Sequence, residues 1–505
     1  MSFDRDPILR CRRSRRMESL AALCVLGLGL VMLGGCTVGP DYHLPVTAVP
    51  EAWKGVGNAE TSDASVTTSR PAKLADWWQH FSDPVLTSLV QQAIQSNLDL
   101  KQAIARVRQA RAARGIVAAD YWPQVSANAD YRRSGSGSSG GTVVGGSQGG
   151  LTSVSGGGAV ERDLFETGLD ASWEIDIFGG VRRNVEAANA DIVASVEDLR
   201  DVLISLVAEV GNNYVSLRGI QEQIAIAKNN LKAQEHTAEI TRKRYEAGFV
   251  SALDVANANA QVATTRSRIP VLESAEQATI YTISVLLGRD PAALTKMLSA
   301  QGPIPPIPPV VPVGLPSDLL RRRPDIRRAE AQIHAATARI GVATADLFPK
   351  FYLTGSFGFS SSDLATFLNW GSRLYSIGPS VTWPVFTAGK IRSNIEVQKA
   401  LEEQTLLTYR STILTALKDV EIALVAYAKE QQHRNDLEDA VTNNRKAVDL
   451  ATKLYVAGKT DFLNVLAAQN ALYATENDLA VSTSNLANDL ISLYKALGGG
   501  WEEES

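Results

Sequence analysis

Cysteine is nearly absent from this chain: three in 505 residues, at positions 11, 24 and 36. The first two fall inside an N-terminal segment that reads as an export signal, so Cys36 is the one thiol expected in the mature chain and no disulfide can form within it. Histidine is scarce too, and the five copies (His43, His80, His236, His334 and His433) show no metal-ligand spacing. After Cys36 no apolar run approaches the ~20 residues of a membrane-spanning helix, so any bilayer crossing must be made of strands. Without the signal the chain holds 44 basic and 51 acidic residues, a net charge of −7, which argues against a nucleic-acid binder. No nucleophile elbow or metalloprotease motif occurs. The Gly-rich stretch 135–158 is no phosphate loop, because no helix opens from it with a Lys-Ser/Thr ending. Neither an enzyme nor a cofactor is expected.

What is present begins with an address. Arg10, Arg12, Arg13, Arg15 and Arg16 make a basic region, Leu20 to Leu33 an apolar one, and Leu33-Gly34-Gly35-Cys36 reads as a bacterial lipobox. Small residues admit the signal peptidase, and the Cys36 thiol takes a diacylglyceryl group before cleavage and acylation. A twin-arginine signal at Arg15-Arg16 is disfavoured by Glu18 where an apolar residue is wanted. Thr37 rather than Asp after the Cys favours the outer membrane.

The body of the chain is duplicated. Residues 245–255 (Tyr-Glu-Ala-Gly-Phe-Val-Ser-Ala-Leu-Asp-Val) return at 455–465 as Tyr-Val-Ala-Gly-Lys-Thr-Asp-Phe-Leu-Asn-Val. The offset of 210 also pairs Trp173 with Trp383, Gly179 with Gly389, and Gly288 with Gly498. Upstream it becomes 226, pairing Asp120 with Asp346 and Pro123 with Pro349, so the first copy carries 16 extra residues between its Pro and its Trp. Two equal copies imply a pseudo-symmetric object.

Within each copy the hydrophobic period changes. Residues 86–119 are periodic as helix. Phe165, Thr167, Leu169, Ala171, Trp173, Ile175 and Ile177 then alternate with Glu166, Asp170, Ser172, Glu174 and Asp176, the pattern of a barrel strand with one face in lipid. From Gly180 to about Glu246 apolar residues advance in steps of three and four without a Pro. A helix of that extent is on the order of 100 Å long and requires coiled-coil packing. A return helix is expected over 251–287. The second copy repeats the scheme: helix 317–346, strands near 350–360 and 373–386, long helix 389–456 and return helix 461–497. Seven Pro between 302 and 316 make an extended connector. The basic run Arg321–Arg323, Arg327 and Arg328 reads as a solvated helix face.

The lipobox leading into Cys-Thr-Val-Gly-Pro-Asp-Tyr, then Asp76-Trp77-Trp78, Phe81, Asp83-Pro84 and Leu86, resembles the start of the NodT-type outer-membrane efflux lipoproteins, relatives of TolC. So do Leu319-Leu320-Arg321-Arg322-Arg323-Pro324-Asp325-Ile326 and Ala-x-x-Phe-Pro at 345–349. The resemblance implies a mixed fold: a membrane β-barrel plus a long α-helical coiled-coil barrel. Two tandem repeats per protomer would build a homotrimer with a 12-stranded barrel and a periplasmic α-tunnel. Its divisions are signal peptide 1–35, lipidated segment 36–85, first repeat 86–301, connector 302–316, second repeat 317–498 and tail 499–505.

The function so implied is the exit duct of a tripartite efflux pump in a Gram-negative outer membrane, with a periplasmic adaptor and an inner-membrane transporter of the resistance-nodulation-division class as partners. A type I secretion duct and a non-conducting stalk or adhesin are the alternatives. Asp254 stands where related channels carry a gate acid, and its other reading is an acid favoured by the helix dipole. In the second copy Thr460, Asn464 and Ala467 depart from the family pattern, so Asn464 would face the gate without a charge. Tyr245, Gly248, Tyr455 and Gly458 are expected to shape the tip turns where adaptors dock, the glycines serving also as helix C-caps.

Overall fold

The computed structural model describes residues 37–54, 66–68, 74–136 and 160–501. The expected signal 1–35, the expected lipidation residue Cys36, the greater part of the Gly-rich stretch (137–159) and residues 502–505 lie outside the described residues. The chain divides into two units. The first comprises Met1–His43, Arg111–Ala190 and His334–Glu403; the second comprises Leu44–Ala110, Asp191–Ile333 and Gln404–Ser505.

The first unit is built on a four-stranded antiparallel sheet, β2 (Gln124–Ser136), β3 (Val160–Ile175), β5 (Lys350–Ser361) and β6 (Arg373–Thr382), in the order β2-β3-β5-β6. Ten to sixteen residues per strand suffice to cross a bilayer core at a tilt. Register converts the alternation of single strands into two faces. Ala127 pairs with Leu169, Leu169 with Phe357, and Phe357 with Tyr375. Along the sheet this face carries Val125, Tyr131, Phe165, Trp173, Phe351, Leu353, Phe359, Ile377 and Val381, with the charged Arg133, Glu161 and Asp163 confined to the end of the β2–β3 pair. The other carries Ser126, Asn128, Asp130, Arg132, Glu166, Asp170, Ser172, Glu174, Thr354, Ser356, Ser376 and Ser380. A slip of one residue in β2 or β3 would put a carboxylate among the aromatics, and one in β5 or β6 would turn Phe357 and Phe359 or Tyr375 and Ile377 to the polar face, which is what holds the register.

The two copies end their sheets alike. The Trp173 indole N–H donates to Tyr121 O (2.9 Å) and that of Trp383 to Leu347 O (3.1 Å), equivalent carbonyls under the two offsets. Residues after Cys36 are strapped onto the same unit: Val38 N–H donates to Phe178 O, and the buried Arg183 binds Val38 O and Asp41 (2.6 Å). Gly39 is held at φ +91°, where a Cβ would come within 2.5 Å of Gly341 Cα, so only glycine fits that crossing.

The second unit is helical. In the first copy α1 (Pro84–Ser96) and α2 (Leu98–Ala119) precede α3 (Gly180–Glu246) and α4 (Ala252–Leu286); in the second, α5 (Pro324–Ala345) precedes α6 (Lys390–Val456) and α7 (Phe462–Ala496). Helices α3 and α6 are each 67 residues long and contribute to both units, and α4 and α7 are each 35. The core of this unit gathers Trp77, Phe81, Leu86, Leu89, Tyr214, Leu217, Tyr427 and Tyr494, all fully buried, with Trp77 stacked 5.5 Å from Tyr494. A short parallel pair joins β1 (Val66–Thr68) to β4 (Val310–Pro312) in the Pro-rich connector. Among the described residues no helix is long and apolar enough to cross a membrane.

Three expectations need correction. The helical run 86–119 breaks at Asn97, whose side chain donates to Leu286 O and accepts from Leu100 N–H, capping the second segment. The helix expected over 317–346 is a short turn, Leu319–Arg322, followed by α5 from Pro324. Of the basic run, Arg321 is exposed, but Arg323, Arg327 and Arg328 are not a solvated face. Arg323 forks onto Asp325 (3.0 and 2.7 Å) and donates to Ala496 O, Arg327 meets the buried Glu197 at 3.1 Å, and Arg328 meets Asp198 at 2.7 Å. Asp325 is local, but Glu197 and Asp198, and Asp419 at 3.7 Å from Arg323, come from distant segments, and local spacing carried no sign of those.

Candidate functional site

Two places carry chemistry for a conduit: the polar face of the sheet and the turns joining the long helices to their return helices. On the sheet, Asp130, Glu166, Asp170 and Glu174 outnumber Arg132 and Arg162 along β2 and β3, so this wall is net anionic there. Nothing in it forms a group of His, Cys, Asp or Glu able to hold a metal among the described residues.

At the turns, backbone geometry is repeated almost atom for atom. Gly248 N–H donates to Tyr245 O (2.9 Å) and Phe249 N–H to Arg244 O (2.8 Å); Gly458 and Lys459 do the same to Tyr455 and Leu454 (3.0 and 2.9 Å). This is the Schellman closure, and it sets φ at +81° and +72° for the two glycines. Side chains then diverge. In the first copy Ser251 caps α4 and Asp254 completes a reciprocal box, its Oδ2 accepting from Ser251 N–H (3.0 Å) and Ser251 O–H (2.9 Å). In the second copy Asp461 caps α7 with no side-chain bond, and Asn464 donates its amide to Thr460 Oγ1 at 2.8 Å. Asp254 thus holds its carboxylate, half-buried, at the helix start, while its counterpart is neutral and exposed.

The paired tyrosines diverge as well. Tyr245 is 46% exposed; Tyr455 is 2% exposed and packs with Ala258, Phe462 and Val465. The Tyr455 hydroxyl donates to Thr241 Oγ1 (3.2 Å), and Arg244 stacks over its ring at 4.5 Å while donating to its main-chain carbonyl. Arg244 therefore clamps the end of α3 to the end of α6. Sequence reasoning passed over it, although the repeat held the signal: the second copy has Leu454 and Ala451 where the first has Arg244 and Thr241.

Away from the turns, a cleft of about 410 Å³ is lined by Asp201, Arg323, Asp325, Asp419, Asp489 and Lys495, with the buried Ile204 beneath them. Burial, reinforced by the nearby Glu430, pushes the Asp489 carboxyl up to about 6.

Comparison with known proteins follows this geometry closely. A family model described as outer membrane efflux protein matches residues 89–289 and 315–499, one match per copy. The pyoverdine export outer membrane protein OpmQ of Pseudomonas aeruginosa is 34% identical over 493 residues, spanning 97% of this chain and 98% of the relative. Nodulation protein T of Rhizobium leguminosarum bv. trifolii is 31% identical over 472 residues, spanning 93% and 96%. Among solved structures the outer-membrane channel OprN superposes with a TM-score of 0.82 at 35% identity, over 92% of this chain and 100% of that one. The open state of the Neisseria gonorrhoeae MtrE channel gives 0.77 at 28%, over 92% and 99%.

Proposed function

The chain belongs to the outer membrane efflux protein family, and from that premise we propose that three copies form the passive exit duct of a tripartite efflux pump. The observation that carries this reading is the sheet. One face is apolar across all four strands except at the charged end of the β2–β3 pair (Arg133, Glu161 and Asp163), the other is polar, and the outer edges of β2 and β6 have no partner strand among the described residues. Open edges are not tolerated in lipid, and four strands fall short of the ~8 in the smallest membrane barrels. Three copies give 12 strands and no edge.

In this duct the apolar face meets lipid and the anionic face lines the lumen. The long helices of both repeats (86–301 and 317–498, joined by 302–316) form the periplasmic tunnel. The first repeat's Asp254 and the second's Asn464 lie at its narrow end as the gate. The turns at Tyr245, Gly248, Tyr455 and Gly458 receive the periplasmic adaptor, with Tyr455 shaping its turn from within. A diacylglyceryl and an acyl chain on Cys36 tether the N-terminus. No cofactor takes part, because a resistance-nodulation-division transporter in the inner membrane supplies the energy.

Planar-bilayer recording of the purified assembly tests the reading. Discrete conductance steps with a preference for cations are expected. Their absence from a correctly assembled trimer would leave a stalk.

A further inference from the structure

The connection between β5 and β6, residues 362–372, lies at the end of the sheet opposite the one at which α5 leads into β5 and β6 leads on to α6. Its polar groups are spent on itself. Ser361 Oγ and Thr366 Oγ1 share a hydrogen bond (2.8 Å), Asp363 accepts from Ala365 N–H (2.9 Å), and the Ser372 hydroxyl donates to Thr366 O (2.8 Å). The apolar residues are left outside: Leu364 is 67% exposed, Leu368 70% and Trp370 67%. Such a surface on an ordered loop requires a cover.

Its direction identifies that cover. Phe367 sits 6.0 Å from the Phe165 ring and Trp370 6.5 Å from that of Phe357. Register places Phe165, Phe357 and Arg373 on the apolar face with Leu169 and Tyr375, so the loop folds down that face and leaves the polar one uncovered. Arg373 stacks on Trp370 at 4.9 Å, donates to Trp370 O, and has no carboxylate within ion-pair distance among the described residues. A Trp with an adjacent unpaired cation at the rim of an apolar band is the chemistry of a lipid headgroup region.

We propose that residues 362–372 form a membrane-seated flap, in which Leu364, Leu368 and Trp370 enter the outer-leaflet interface beside the barrel and Arg373 binds a phosphate of the lipid there. The proposal rests on the barrel reading. Its consequence is that this loop anchors the rim and does not narrow the mouth of the duct.

Nitroxide labels test it. The full chain has only Cys36 beyond the signal, so the unsubstituted protein sets the background. Leu364→Cys, Leu368→Cys, Leu169→Cys on the apolar face and Ser356→Cys on the polar face would be labelled in vesicles of phosphatidylcholine with and without lipid A. Relaxation by oxygen would be compared with relaxation by a water-soluble nickel chelate. Labels at 364 and 368 should favour oxygen as the label at 169 does, while that at 356 favours nickel. If 364 and 368 behave like 356 while 169 reports lipid, the flap is refuted and the barrel stands. If 169 also favours nickel, the barrel reading fails with it. For the phosphate contact, lipid A should raise the melting temperature of the unsubstituted protein and of Arg373→Lys, and not that of Arg373→Gln. An equal rise in all three overturns the role of Arg373.

Discussion

Tyr245 and Tyr455 occupy the same place in the two copies, and only the second is buried. The difference traces to Arg244 and Thr241, which bind Tyr455 and have no counterpart beyond Leu454 and Ala451. A cation over an aromatic face is worth about 0.5–2 kcal/mol. Arg244→Ala should therefore loosen the α6–α7 turn by that order, seen as faster amide exchange over 452–465 with little change over 247–253. Asp254→Ala removes half of a capping box and, in the proposed gate, one carboxylate per protomer. It should reduce the cation preference or raise the resting conductance of the trimer, whereas Asn464→Ala should change neither, as bilayer recordings would reveal. Asp489 supplies a pH dependence. With its folded pKa pushed above the usual carboxylate value to about 6, the folded state binds the extra proton, so stability falls as pH rises through about 4 to 6. Asp489→Asn should raise the melting temperature at pH 8 and change it little at pH 4.

Strands and helix ends obey two different constraints. On β3 the constraint is facing. Arg at Leu169, mid-strand, places a charge on the lipid side and should cost about 2–4 kcal/mol, against about 0–1 at Ile175, the last residue of β3, and a milder effect at Ser172 on the polar side. Trimer yield from vesicles measures these effects, and equal losses at Leu169 and Ser172 would mean the faces are misassigned. At the helix ends the constraint is handedness. Gly248 and Gly458 lie at positive φ, and a Cβ on either would meet open space or only the flexible tip of Arg244. Ala there should therefore cost about 1–2 kcal/mol from the left-handed backbone alone. Gly288 is at φ +64° with Ser96 O only 2.7 Å from where a Cβ would stand, and Gly288→Ala should lower the melting temperature further than either.

For the whole molecule, stability and assembly cannot be separated. Long helices with exposed Leu407, Leu414, Ile422 and Val425 on α6, and a sheet with two open edges among the described residues, are the parts of an oligomer rather than of a monomer. The strap of residues 37–43 is held in the sheet-bearing unit through Phe178 and Arg183. Cys36→Ser should leave precursor uncleaved or unlipidated. Normal lipid labelling of that variant would remove the anchor from the scheme.

The sequence by itself determined the elements and their duplication. Hydrophobic period and helix-ending glycines are local properties, and they located α3, α4, α6 and α7 to within a residue or two as well as the two faces of β3. The repeat offset also marked Asp254 and Asn464 as equivalent positions with different chemistry. What the tertiary structure alone decided is where side chains of equal local standing end up. Arg323, Arg327 and Arg328 meet their acids across more than 90 residues, Tyr455 is buried while Tyr245 is not, and loop 362–372 lies on the apolar face rather than the polar one. Each outcome depends on a partner brought close by the fold of a distant segment, and spacing along the chain holds no record of that partner.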